Sequence, residues 1–208
     1  MHYKIVVIGE DVEKLLAPFS KHLKVEEYEE GSEKYHRNPN GKWDWYEIGG
    51  RWTTNLKAIP GAESGTVGPR LPHSHPSGFI GAAPLSRKPG WYDSLLKKEI
   101  DFAGMDLEIR HENEMFWHDC QLMTDEVKKT LYCDEEYKPL QGESFEVYHN
   151  RVHRPWRALC FLQGEGWIEK ETWDGKIFVK DPNWIQNFWS ALNDVGPDER
   201  VTIVDIHN

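Results

Sequence analysis

Residues 158 to 206 narrow the fold further than any other part of the chain. Ala158 to Leu162 is a short apolar run with the length of a strand, QGEG after it has turn composition, and Trp167 to Trp173 reads as the hairpin partner. Asp181-Pro182 sets an N-cap followed by a proline at the first helical position, where a missing N–H costs nothing. Trp184, Ile185, Phe188, Trp189 and Leu192 form an apolar stripe at helical spacing, and Gly196-Pro197 ends that helix before the strand Val201 to Ile206. Near the other end, Tyr3 to Ile8 is an apolar run closed by Gly9, and Asp11 to Leu16 is one helical turn that Pro18 stops. In order, this is β, a long insertion, α, β, β, α, β. The reading is an α+β chain with the element order of a ferredoxin-like split βαβ sandwich, an antiparallel sheet with helices on one face.

The helix that precedes the hairpin carries Phe145, Tyr148 and Val152 on one stripe. The chain is expected to form a single domain, 1–208, with an insertion over 29–140. Val25 to Tyr28 is a short strand ahead of it, and Trp43 to Ile48 reads as a strand because aromatic side chains suit a pleated surface. Over 53–92 the composition shifts to Gly, Pro and Ser, prolines recur from Pro60 to Pro89, and no period holds. Long loops of this kind in a compact protein usually serve a function. Helical spacing returns over Ile100 to Met123, with Met105, Ile109, Phe116 and Cys120 on one side, and Thr124 opens a second helix with Val127 and Leu131 at i, i+4.

Charge decides which partners are excluded. With 25 Lys and Arg against 35 Asp and Glu the formal net charge is −10, so a phosphate polymer is repelled and no nucleic-acid partner is expected. Cys120, Cys133 and Cys160 are far apart and form no CxxC, which reads as a reducing, cytoplasmic setting. About 18 consecutive apolar residues occur nowhere, so no membrane partner is expected either. No dinucleotide fingerprint, phosphate loop or nucleophile elbow is present, and no cofactor is expected.

The segment Lys42 to Trp52, KWDWYEIGGRW, concentrates the residue types of a binding wall. Strand alternation sends Trp43, Trp45 and Glu47 to one face and Asp44, Tyr46 and Ile48 to the other. One face offers stacked indoles or the other an acid–phenol pair, Gly49 and Gly50 let a ligand approach the backbone, and Arg51 supplies a planar cation for phosphate or carboxylate. The ligand-binding candidates are Lys42, Trp43, Asp44, Trp45, Tyr46, Gly49, Gly50, Arg51 and Trp52. The opposing reading makes the indoles core anchors and the glycines a bulge.

Other chemistry-bearing groups are sparser. His73 and His75, in a loop HSHP, are weak metal candidates; the Ser-x-x-Asp that a JAMM-type metalloprotease core needs is missing, since Ser86 is followed by Pro89. HENEM at His111 to Met115 fails HExxH at its second ligand, and Glu108 with His111 matches the di-iron Glu-x-x-His only once. His149 and His153 lie among Arg151, Arg154 and Arg157, a local basic patch. Asp205 and His207 share one face of the last strand and suit general acid or base chemistry. The catalytic candidates are therefore Asp44, Tyr46, Asp205 and His207.

Five stretches together resemble a family of uncharacterised proteins common in bacteriophages and some actinobacteria. They are IVVIGEDVEKLLAPF, KWDWYEIGGRW, GWYDSLLKKEIDFAGM, ALCFLQGEGW and VTIVDIH. The segment between Tyr28 and Lys42 is shorter than in that family, and HSHPSG is peculiar to this chain. The resemblance implies a phage accessory protein, one domain with insertions, and no particular catalytic residue. Three functions follow. The first expectation is that the chain binds a small anionic, nucleotide-type ligand through the Trp/Tyr/Arg wall, as would suit a phage protein that counteracts host defence. Alternatively it docks on a host protein through its acidic surface, or it hydrolyses a phosphoester or nucleotide. A homodimer is compatible with a small sandwich.

Overall fold

The computed structural model describes residues 2–30, 33–68, 88–124, 138–152, 158–173 and 177–208. The chain forms two compact units, Met1–Ile100 with Pro155–Asn208, and Asp101–Arg154. The second unit begins inside the expected insertion and runs past its end. Among the described residues no helix is long and apolar enough to cross a membrane.

In chain order the strands of the first unit are β1 (His2–Ile8), β2 (Tyr28–Glu30), β3 (Glu33–Tyr35), β4 (Trp45–Ile48), β5 (Leu56–Lys57), β6 (Trp91–Tyr92) and β7 (Ser94–Leu96), followed by β8 (Cys160–Gln163), β9 (Gly166–Glu169), β10 (Glu171–Trp173), β11 (Phe178–Lys180) and β12 (Arg200–His207). Six of them make one sheet in the order β4-β12-β1-β8-β9, with β7 beside β4 on the same side of β12. The three remaining pairs, β2 with β3, β5 with β6 and β10 with β11, are separate two-stranded ribbons. The fold is thus mixed α+β with a mostly antiparallel sheet.

Two features differ from the expected sandwich. In a split βαβ unit a further strand separates the two parallel ones; here β8 pairs directly and in parallel with β1, and its hairpin partner β9 lies outside. The helices also cover both faces. Helix α1 (Val12–Leu16), capped by the Asp11 carboxylate on the Lys14 amide, sets Val12 and Leu16 against Ile5, Val7, Val204 and Ile206. The helix Trp184–Asp194 meets the opposite face, where its Phe188 contacts Phe161 edge to face at 5.5 Å. Coverage on both sides explains why β1 and β12 read as nearly continuous apolar runs rather than as an alternation.

The second unit contains α2 (Phe102–Leu122), opened by the Asp101 carboxylate on the Gly104 amide, and α3 (Phe145–Val152); the helix Trp184–Asp194 of the first unit is α4. The stripe predicted for α3 is real: Tyr148 and Val152 are buried. Between α2 and α3 the buried Asn113 bonds His149 Nδ1 at 3.1 Å, and Arg110 pairs with Glu146. Arg151 is held bidentately by Glu143, so it belongs to an internal ion pair rather than an open basic patch. The second helix expected from Thr124, together with His153, Arg154 and Arg157, lies outside the described residues.

Candidate functional site

Register places the site. His207 of β12 pairs with Trp45 of β4 on one side and His2 of β1 on the other, and Asp205 pairs with Glu47 and Lys4 in the same way. Alternation then brings Trp45, His207 and His2 into one row, with Glu47, Asp205 and Lys4 in the next row of the same sheet face. Further along β12 that face becomes hydrocarbon, with Ile203 opposite Val6. The polar corner therefore occupies one end of an otherwise apolar surface.

Within it stand two histidine–carboxylate pairs. His207 Nδ1 lies 2.8 Å from Asp44 Oδ1, and His2 Nδ1 lies 2.9 Å from Asp205 Oδ1. The two imidazoles are 5.1 Å apart between centroids and inclined by 65°, and Trp45 presents its ring to His2 at 6.1 Å. Asp205 is 1% exposed, and its second oxygen accepts the Arg51 amide at 3.1 Å. A buried carboxylate is tolerated when both oxygens are bonded, and here they are.

Asp44 is more open. Its amide donates to the His207 carbonyl at 3.0 Å, and its own carbonyl is 3.1 Å from His22 Nε2. Partial burial alone would raise its carboxyl, but the hydrogen bond and charge of His207, with Lys21, outweigh that and hold it below the ordinary value. Each carboxylate thus engages the Nδ1 of its imidazole.

Gly49 and Gly50 have a different job from the one expected of them. Both have positive φ, +73° and +52°. A Cβ on Gly49 would lie 2.4 Å from the Asp93 carboxylate, and one on Gly50 would lie 2.5 Å from Asp205 Cβ. The space above the two glycines is filled by the chain's own acids, so the turn wraps side chains rather than admitting a ligand there. Asp93, fully buried, accepts from the Thr53 hydroxyl at 3.1 Å, the Gly68 amide at 2.9 Å and the Thr54 amide.

The expected alternation over 43–48 fails at its first residue. Strand pairing starts at Trp45, and Asp44 sits in a bend that turns Trp43 onto the opposite face. Trp43 meets Tyr46 edge to face at 5.1 Å, donates from Nε1 to the Leu16 carbonyl at 3.0 Å, and packs with Tyr46 and Ile48 against the core under α1. Trp43 and Trp45 therefore do not face solvent together as stacked indoles, and the acid–phenol pair of Asp44 and Tyr46 does not form. Burial raises the Tyr46 hydroxyl, aided by Glu13 and Asp11.

Of the remaining candidates, Trp45 is 39% exposed and Arg51 is exposed on the turn beside Asp205. Trp52 is partly buried. Lys42 pairs with Glu169 at 2.9 Å and lines a separate hollow of about 540 Å³ with Phe19 and Trp167. His73 and His75 lie outside the described residues. Among the described residues no three His, Cys, Asp or Glu side chains are grouped to hold a metal ion. The structure thus joins Asp44, Trp45, Asp205 and His207 and separates Lys42, Trp43 and Tyr46 from them.

Sequence reasoning missed His2, Lys4 and Asp93. His2 and Lys4 had one usable signal: they alternate ahead of an apolar strand, just as Asp205 and His207 do in the last one. Asp93 carried none, because its partners come from a loop. Compared with known protein families, with curated proteins and with solved structures, the chain matches none of them.

Proposed function

We propose that the chain binds a small, phosphate-bearing, nucleotide-type ligand at the sheet end formed by His2, His207, Trp45 and Arg51. The observation that carries this reading is the pair of carboxylate-held imidazoles, 5.1 Å apart, beside a part-exposed indole. Imidazolium and guanidinium groups donate charge-assisted hydrogen bonds to phosphate oxygens, and an accessible indole stacks on a base for about 1 to 3 kcal/mol. The net charge of −10 favours a compact ligand over a polymer. Such an activity suits an accessory protein of a phage that sequesters a nucleotide signal of its host.

Calorimetric titration with mono-, di- and cyclic nucleotides tests the reading. Binding is expected for at least one of them, with Trp45→Ala and Arg51→Ala each weakening it roughly tenfold or more, in line with the loss of one stacking or charge-assisted contact. Silence across the panel, with the protein folded, overturns the proposal.

A further inference from the structure

The geometry points to a catalytic use of this corner that rests on the ligand class proposed above: His2 and His207 form an acid–base pair that cleaves a small nucleoside phosphodiester, with Asp205 and Asp44 as positioning residues.

Cleaving a phosphodiester requires a proton to leave the attacking oxygen and another to reach the departing one. Two groups are needed, one neutral and one protonated, on a single phosphate. Imidazole is the side chain with both forms populated near neutrality. Here two are presented side by side on neighbouring strands, with ring centroids 5.1 Å apart. Each has its Nδ1 held by a carboxylate, which orients the ring. The same division of labour recurs wherever an acid orients a catalytic histidine.

The step balances without any further reactant than water. The neutral imidazole takes a proton from the attacking water as its oxygen bonds to phosphorus. The bond from phosphorus to the leaving oxygen breaks, and the imidazolium gives that oxygen its proton. Diester and water become monoester and alcohol; the rings have exchanged one proton between them and are reset by exchange with solvent. The charges around the pair are Lys4 and Glu47 on the same sheet face, Lys21 and His22 beside Asp44, and Arg51 beside Asp205.

The test incubates the full chain with 3′,5′-cyclic AMP, 3′,5′-cyclic GMP and the dinucleoside monophosphate UpA, with phosphorus NMR following diester and monoester and calorimetry following binding. The wild type is expected to replace a diester signal with a monoester signal. His2→Gln and His207→Gln are each expected to weaken binding by roughly tenfold, through loss of one charge-assisted contact, and to lose on the order of 10²-fold or more in kcat for the ligand that remains bound at saturation. Asp44→Asn is expected to lower kcat with KM unchanged and to displace the acid limb of the kcat profile, which a merely structural role would leave in place. Binding by the wild type without turnover overturns the acid–base assignment and leaves the binding proposal standing; absence of binding overturns the binding proposal itself. Turnover that both glutamine variants retain also overturns the assignment. If His2→Gln does not fold, His207→Gln, at the more exposed ring, decides the matter alone.

Discussion

The three strands β4, β12 and β1 have two faces that differ as much as any two regions of the molecule. On one, Ile5, Val204, Ile206, Tyr46 and Ile48 are sealed beneath α1 with Trp43. On the other, one residue out of step, the same strand ends present His2, Lys4, Glu47, Asp205 and His207. Period-two alternation lets one stretch of backbone build hydrocarbon core and ionisable corner at once. The core face supplies the rigidity that holds the two imidazoles at a fixed separation.

The largest effect should come from the sealed face. Leu16 is fully buried and packs in the cluster under α1. Leu16→Ala is expected to cost about 2 to 5 kcal/mol, read as a lower urea midpoint, while nucleotide binding by the remaining folded protein is unchanged. A loss of affinity matching the loss of stability would erase the distinction between the faces.

Gly50→Ala should come next, at about 1 to 3 kcal/mol, because the residue has φ +52° and its new methyl group would strike Asp205. Unlike the core substitution, it should also disturb the His2–Asp205 pair and so weaken the site. Chemical shifts of the two imidazoles would show whether the displacement reaches them.

Asp205→Asn keeps the shape and removes the charge, and about 1 to 2 kcal/mol is expected from the weakened bonds to His2 and the Arg51 amide. Thermal unfolding would measure it; a change within error would mean the carboxylate's charge is irrelevant to the fold.

The smallest effect concerns Asp44, whose carboxyl is held below its ordinary value in the folded chain. Its contribution is therefore present above the unfolded pKa, about 4, and is lost as pH falls through the lower folded value. Since the side chain is about one-third exposed, screening keeps this below roughly 1 kcal/mol. Asp44→Asn should lower stability at neutral pH by less than about 1 kcal/mol, leave it unchanged in strong acid, and so flatten the acid side of a stability–pH curve slightly.

Regular elements with strong local signals were legible in the sequence. The first and last strands, α2 and the Trp184–Leu192 helix follow from apolar spacing; the last helix, however, starts at Trp184 with Asn183 at its N-cap, not with Asp181 as N-cap and Pro182 as its first residue. The order of strands was not, because whether β8 or β9 lies beside β1 depends on long-range pairing that no local pattern encodes. Within the site, Asp205 and His207 were readable as a same-face pair. Their partners were not: Asp44 reaches His207 only because a bend interrupts the strand before Trp45, and His2 reaches Asp205 only through β1–β12 register. The Gly-Gly pair stands out in the sequence, but its cause, two buried carboxylates from distant segments, is a tertiary fact.

His2 and Asp205 are 203 positions apart in the sequence. They meet through the β1–β12 register, so their contact exists only while that central strand pairing exists. Ring signals from His2 and His207 should accordingly disappear with the whole first unit and never ahead of it, which makes this corner a natural reporter of cooperativity.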